Sequence, residues 1–323
     1  MILRRILVIF TIGLIIWSCG DDDNGVSTEA EITPPRPPSE VAPENEDAIQ
    51  EYLQTHFYNY EEFENPQDSF DFKIRIDTIP QGDTILRPLS DDAIPVTINL
   101  ADSVLTGEDT GVTEHTYYYI EVRNNEAIPG PTFADSVLVR YEGSLLNNQL
   151  FDSRNSFLWQ YLGSTVRGYS DVMSKFNAGT ALMDNPNGSV TVDDSGLGIV
   201  ILPSALGYYN APPSGSSIPT FAPLVFTFEI GLFIPDTDLD GDGVPSFMED
   251  INGDGILNND NTDGDSFISG NSRIPLYNHQ DADDDQDGTP TREEVEFDEE
   301  GNLILPLPDT DGDGTPDYLD ADS

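Results

Sequence analysis

From residue 70 onward, apolar side chains recur at every second position, the period of a strand with one buried face. Phe70, Phe72, Ile74 and Ile76 alternate with charged residues, Gln81-Gly82-Asp83 marks a turn, and Thr84 to Leu86 can return. Val96 to Leu100 and Tyr117 to Val122 give two more strands, and Val137, Val139 and Tyr141 alternate with Leu138 and Arg140. Asn147-Asn148 then punctuates the chain as a tight turn. Ile199 to Leu202 is a run of four apolar residues ending at Pro203, and Leu224 to Ile230 is the closing strand. Helical spacing occurs twice. Ile49, Leu53, Phe57 and Tyr60 predict a short amphipathic helix within 48–60, and Tyr169, Val172, Met173 and Phe176 share one face over 168–176. Many strands, one central helix and a loop rich in Pro, Gly and Ser at 204–223 predict an α+β fold, an antiparallel sheet wrapped around one short helix.

The 323 residues allow two or three domains. Charge divides them. The formal net charge is −47, and 236–323 carries more than half of it, with 27 acids set against Arg273 and Arg292 alone. Such a field repels nucleic acid and anionic membrane surfaces and suits divalent cations. At the other end, Arg4 and Arg5 precede an apolar run from Ile6 to Trp17, shorter than a comfortable membrane span and fitting a secretory signal. The single cysteine, Cys19, rules out an internal disulfide; following Ser18, it resembles the lipobox of bacterial lipoproteins. That resemblance implies removal of 1–18, lipidation at Cys19 and a membrane anchor on the periplasmic or cell-surface face of a bacterial outer membrane. Gly20-Asp21-Asp22-Asp23 resembles the acidic export tags of some surface lipoproteins.

Residues 19–46, acidic and carrying five prolines, read as an extended tether. Residues 47–115 read as a small accessory subdomain that packs on the centre and holds no catalytic constellation; His56 and His115 stand isolated in it. Residues 116–234 form the central domain and 235–323 the acidic tail.

Within the central domain, Val137 to Asp152 is a hairpin that sets the Phe151 ring beside the Asp152 carboxylate. The order Tyr141, Gly143, Leu145, turn, Phe151-Asp152-Ser153 resembles the signature of FK506-binding (FKBP-type) peptidyl-prolyl isomerases. Four later pieces extend the resemblance: Val166-Arg167-Gly168-Tyr169 at a helix start, the loop Pro203 to Tyr208, Ile218-Pro219 at the tip of a flap, and Leu224-Val225-Phe226 in the closing strand. It covers roughly Tyr117 to Phe233 and implies a pocket of Tyr141, Phe151, Asp152, Val166, Tyr169, Tyr208, Ile218 and Phe226. Tyr208 would donate to a substrate carbonyl, and Asp152 would order polar groups at the rim. No metal, nucleophile or nucleotide is needed, because rotation about an X-Pro bond breaks no covalent bond; the barrier of about 20 kcal/mol is lost amide resonance. The chain departs from the family in four places. Tyr169 stands for the usual Trp, giving a smaller floor with a polar end. Tyr209 stands for the usual Gly, where a side chain would crowd the flap. No aromatic near Phe157-Leu158-Trp159 is placed without ambiguity. The stretch from Ala181 to Gly198 is long, its Asn185-Pro186-Asn187-Gly188 indicating an added hairpin.

The tail is punctuated. Asp238, Asp240, Asp242 and Gly243, followed by Glu249, match the calcium-loop pattern D-x-D-x-D-G-x₅-E, and Asp283, Asp285, Asp287, Gly288 and Glu294 repeat it. Asp309, Asp311, Asp313 and Gly314, with Asp317 and Asp320, give a third copy; Asp250, Asn252, Asp254 and Gly255 give a weaker fourth without a closing acid. Alternating acids in a tight loop aim carboxylates inward, and the backbone carbonyls of Val244, Thr289 and Thr315 would join them around Ca²⁺. Pro245, Pro290 and Pro316 argue against flanking helices of the EF-hand kind. Asp309 to Asp320 resembles the thrombospondin type 3 repeat instead, which implies structural calcium at several sites.

Together these readings predict an exported, lipid-anchored folding helper: a peptidyl-prolyl cis-trans isomerase acting on proline-containing segments, with no cofactor for catalysis and a calcium-stiffened tail. The alternative is a non-catalytic surface interaction or adhesion lipoprotein that uses the same scaffold and a calcium-stiffened spacer.

Overall fold

The fold was obtained as a computed structural model that describes residues 35–67, 70–185, 190–264, 266–269 and 272–323. Cys19, the signal segment and the tether up to residue 34 lie outside the described residues. Among those described, no helix is long and apolar enough to cross a membrane.

The chain enters on helix α1 (Pro38–Thr55), which presents Val41, Ile49, Tyr52 and Leu53 as one buried stripe. The helix starts ten residues earlier than its apolar spacing predicts, inside the stretch read as tether. Pro38 fits the first turn, where no backbone N–H is required, whereas Pro43 leaves one carbonyl of that turn without its usual donor. Burial of Val41 and Asn45 holds this part of the helix in place.

Strands β1 (His56–Tyr58) and β2 (Ile76–Thr78) pair beside it. The alternating stretch from Phe70 is irregular up to Arg75, a correction to the strand reading; Phe63, Phe70 and Phe72 cluster ring against ring instead of facing a sheet. Gly82 makes the expected turn, with Asp83 N–H donating to the Pro80 carbonyl at 3.0 Å.

Strands β3 (Ile94–Ala101), β4 (Val112–Arg123), β5 (Ser136–Leu145) and β6 (Leu150–Tyr161) are followed by helix α2 (Arg167–Met173). The exposed hairpin β7 (Ala181–Asp184) and β8 (Val190–Asp193) comes next, with its turn outside the described residues, and then β9 (Gly196–Leu202) and β10 (Leu224–Ile234). Six strands form one antiparallel sheet in the order β3-β4-β9-β10-β5-β6. The boundary placed at 115/116 therefore runs through β4, and β3, assigned to the accessory subdomain, is an edge strand of the central sheet.

The fold is mixed α and β, with a large antiparallel sheet and few helices. The sheet is covered on both faces, which goes beyond a sheet wrapped around one helix. On one face α2 buries Tyr169, Val172 and Met173 against Val139, Val200, Leu202, Phe226 and Phe228. On the other, α1 packs Ile49 and Leu53 against Ile120, Leu197, Ile199, Ile201 and Val225. Every residue of β9 is buried, and this explains its unbroken apolar run: alternate residues face different layers, each side chain contributing about 1.5–3 kcal/mol.

Candidate functional site

The cavity lies on the α2 face. A strand puts residues two apart on the same side, so Tyr141 and Gly143 of β5 both face α2. A Cβ at Gly143 would come within 2.6 Å of the Phe151 ring and 2.9 Å of Phe226. Glycine is what lets those rings meet edge to face, with centroids 5.5 Å apart. Gly168 does the same for α2: a Cβ there would strike the Leu202 side chain at 2.5 Å, so its absence seats the helix and lowers Tyr169 onto the sheet.

The resulting space holds about 380 Å³, and all eight residues singled out from the sequence line it: Tyr141, Phe151, Asp152, Val166, Tyr169, Tyr208, Ile218 and Phe226. Gln160, Ser164, Thr165, Pro213 and Ser216 complete the wall. Tyr169 is the centrepiece, 5.1 Å from Phe226 and 6.0 Å from Tyr141 between ring centroids.

The polar groups are few and ordered. The Tyr141 hydroxyl donates to Asp152 Oδ2 at 2.6 Å, and Asp152 Oδ1 accepts the Ser153 N–H at 2.8 Å with Arg154 Nη1 at 3.4 Å. Asp152 is thus a satisfied acceptor that fixes the Tyr141 ring. Burial, then the hydrogen bond to Asp152, pushes the Tyr141 phenol up to about 12. Burial and the same carboxylate raise Tyr208. The Tyr169 hydroxyl is buried with no hydrogen-bond partner, a donor held in reserve at the floor. Among the described residues none bonds the Tyr208 hydroxyl. The site therefore offers aromatic walls, two neutral phenols able to donate and no free base.

Tyr209 and the added hairpin leave the cavity open. Tyr209 adopts φ +47°, the left-handed region that favours glycine, and this turns its ring away from the cavity. It is buried against Val41, Ala205 and Phe221, and its hydroxyl donates to the Arg36 carbonyl. Two further bonds join α1 to the same loop: Asn45 Nδ2 donates to the Phe221 carbonyl at 3.1 Å, and Asn45 Oδ1 accepts the Ser204 N–H at 2.7 Å. Of the ambiguous aromatic run, Trp159 is half exposed and Phe157 lies under the Arg140 guanidinium at 5.1 Å; Gln160 fills the wall in their place.

A smaller cavity of about 240 Å³ sits on the opposite face of the sheet, beside Phe72 and Glu229. There the Glu229 carboxylate is gripped by Arg140 at 2.5 Å and by the Ser195 hydroxyl at 2.7 Å.

The acidic loops repeat one local geometry. The first residue of a loop accepts the N–H of its second glycine: Asp238 from Gly243 at 3.0 Å, Asp250 from Gly255 at 2.9 Å and Asp309 from Gly314 at 3.1 Å. The fifth residue accepts the N–H two further on: Asp242 from Val244 at 2.7 Å, Asp254 from Ile256 at 2.8 Å, Asp287 from Thr289 at 2.5 Å and Asp313 from Thr315 at 2.8 Å. Three triads result, each offering oxygens within 4.8 Å of one another: Asp238–Asp240–Asp242, Asp283–Asp285–Asp287 and Asp309–Asp311–Asp313.

In the Asp250 loop an amide, Asn252, stands where the other loops have their middle carboxylate. The Asn252 amide bridges to Asp260 at 2.9 Å, and the Asn259 amide to Asp254 at 2.8 Å. Asp260, buried and raised to about 6 by burial and then by Asp250, is the acid the sequence reading missed; it stands one residue earlier than the pattern demands. Glu294 is raised to about 7 by burial and then by Asp285, Asp287 and Asp283. Asp317 turns away from its triad, both oxygens taken by Thr310, and Asp320 accepts the Asp322 N–H at 3.1 Å.

Buried carboxylate oxygens of Asp240, Asp242, Glu249, Asp250, Asp283, Asp285 and Glu294 have no hydrogen-bond partner. An all-oxygen set with orphaned, inward-facing charge fits a hard divalent cation.

The tail is fastened to the central sheet. Thr237 Oγ1 accepts the Ser136 N–H at 2.9 Å, and the His279 ring stacks on Tyr161 at 6.1 Å. Gly255 lies against Arg167, the residue between Val166 and Gly168; a Cβ on it would sit 2.3 Å from the guanidinium carbon.

No protein-family model matches the chain, and no curated protein matches it. Among solved structures, the chain is similar to a peptidyl-prolyl cis-trans isomerase from Pseudomonas syringae pv. tomato str. DC3000, at 22% identity and a TM-score of 0.30, over 36% of this chain and 74% of that one. It is also similar to FkpA from Escherichia coli, at 24% identity and a TM-score of 0.30, over 37% of this chain. The match spans about half of FkpA, 48% of that chain.

Proposed function

We propose that the central sheet is a peptidyl-prolyl cis-trans isomerase of the FKBP type, acting on proline-containing segments of exported polypeptides. The observation that carries this reading is the convergence of eight side chains, drawn from five separate stretches, on one cavity of about 380 Å³. A proline ring enters between Phe151, Phe226 and Tyr169. The preceding carbonyl, stripped of water by these walls, takes a hydrogen bond from Tyr208. As the amide twists, its carbonyl loses charge and the amide becomes less polar, so walls that exclude water bind the twisted state more tightly than the planar one, while the Tyr208 bond holds the segment in place. Each tenfold gain in rate requires about 1.4 kcal/mol of such preference. Asp152 holds Tyr141 in place and moves no proton.

The tail would bind calcium through Asp238, Asp240, Asp242 and Glu249, through Asp283, Asp285, Asp287 and Glu294, and through Asp309, Asp311 and Asp313. The ion would supply the positive charge these oxygens lack. Cys19 would carry lipid and anchor the chain at a bacterial outer membrane.

Exchange on an X-Pro peptide, followed by NMR or a coupled protease, tests the enzyme reading. Uncatalysed exchange takes roughly 10–100 s, and the full chain should shorten it severalfold or more. Absence of any gain in protein whose folding has been verified would leave the surface-interaction alternative.

A further inference from the structure

We propose that Asp242, Glu249 and Asp284 form a cation site shared between the Asp238 and Asp283 loops, with Asp284 as a ligand that no loop pattern assigns. The inference rests on the reading of the loops as calcium sites and extends it across two of them.

Asp242 and Glu249 belong to one loop and Asp284 to another, yet each offers an oxygen within 4.8 Å of the other two. All are buried: Glu249 is 0% exposed, Asp242 and Asp284 2% each. The observation pointing to a ligand is Glu249, fully enclosed, whose two oxygens both lack a hydrogen-bond partner. Asp242 Oδ2 and Asp284 Oδ1 lack one too. Their other oxygens are held in place: Asp242 Oδ1 accepts the Val244 N–H at 2.7 Å, and Asp284 Oδ2 accepts the Thr291 hydroxyl at 2.6 Å. The arrangement orients one free oxygen of each aspartate toward Glu249.

Among the described residues no Lys or Arg forms an ion pair with the cluster. Arg292, whose charge reaches Asp242, has its guanidinium over the Phe297 ring at 5.0 Å. Buried carboxylates without compensation are strongly unfavourable, so this enclosure needs positive charge. Two occupants are possible in chemistry. One is a divalent cation; the other is protons, since Asp242 and Asp284 stand close enough to share one. Three carboxylates from two loops favour the cation, which takes six to eight oxygens and collects them from any direction. Asp242 also belongs to the Asp238–Asp240–Asp242 triad, so cations in both would share its carboxylate. Occupancy closes the chain between Glu249 and Asp284 into a ring and joins the loops into one unit.

Calcium titration of the chelator-treated full chain by calorimetry tests this, comparing wild type with Asp284→Asn. The asparagine can still accept the Thr291 hydroxyl. The expected result is one fewer ion per chain, or a tenfold or greater loss of affinity at one site, with the remaining sites unchanged. Asp284→Glu keeps the charge and moves the oxygens by a methylene; it should weaken the same site and provides a second comparison if Asp284→Asn fails to fold. Wild-type stoichiometry and affinities in both variants would overturn the shared site while leaving the loop reading intact. Absence of calcium binding in the wild type would remove the loop reading itself and assign the cluster to protons.

Discussion

The central sheet and the acidic tail solve the problem of holding a chain together by opposite means. The sheet has two apolar layers, and the rings that bound its cavity belong to one of them. Among the described residues the tail has a small cluster around Val244, Val295 and Tyr318, and its loops are ordered by carboxylates bonded to their own backbone. Burial of apolar surface requires no bound ion. Inward-facing acids are not, because bare they repel one another. On the calcium reading proposed above, one polypeptide would carry a region that folds from its own side chains and a region whose stability depends on the ions it binds.

Chelation should break this symmetry most. A ligand at a hundred times its dissociation constant stabilises by about 2.7 kcal/mol per site, and several sites add. With EDTA the tail should become protease-sensitive while the sheet keeps its melting transition; equal loss of both would merge the two regions into one cooperative unit. The next effect in size belongs to the sheet alone. Phe226→Ala should cost about 3–5 kcal/mol in urea unfolding of the sheet and empty one wall of the cavity, without altering calcium binding by the tail.

Tyr209→Gly relieves a left-handed tyrosine, worth about 1–3 kcal/mol, but deletes a buried ring. The ring wins, and a net loss of about 2 kcal/mol is expected by the same unfolding measurement. Tyr208→Phe should leave stability unchanged and lower kcat/KM about tenfold, the equivalent of ~1.4 kcal/mol, in the peptide exchange assay.

The smallest effect is in pH. Tyr141 and Tyr118 are both raised to about 12 by burial, then by carboxylates, from an unfolded value of about 10. Folded phenols hold their protons more tightly, so their contribution is complete below pH 10 and is lost as pH rises through 12. Exchange rates should be flat from pH 6 to 9, and the sheet's melting temperature should fall only above 10.

The sequence disclosed the cavity more fully than the framework around it. Tyr141, Gly143 and Phe151, and Gly168 with Tyr169, sit at spacings that sterics enforce: the glycines are places where a Cβ has no room. Such constraints are local and therefore readable. The membership of β3 in the sheet is not local, since it depends on pairing across to β4 and on α1 covering a second face. The early start of α1 was hidden by Pro43, which reads as a helix breaker until the tertiary contacts of Val41 and Asn45 are known. Asp260 and Asp284 escaped because they occupy positions the loop pattern leaves unspecified, and only folding brings them to other acids.

The three bonds that tie Arg36 and α1 to the loop over the cavity have a mechanical consequence. Tension applied to the backbone at Arg36 reaches Tyr209, and through Asn45 reaches Ser204 and Phe221, before it reaches any strand. The roof of the cavity thus lies in the load path of the residues that precede α1, and traction there would act on the opening as well as on the sheet that α1 covers.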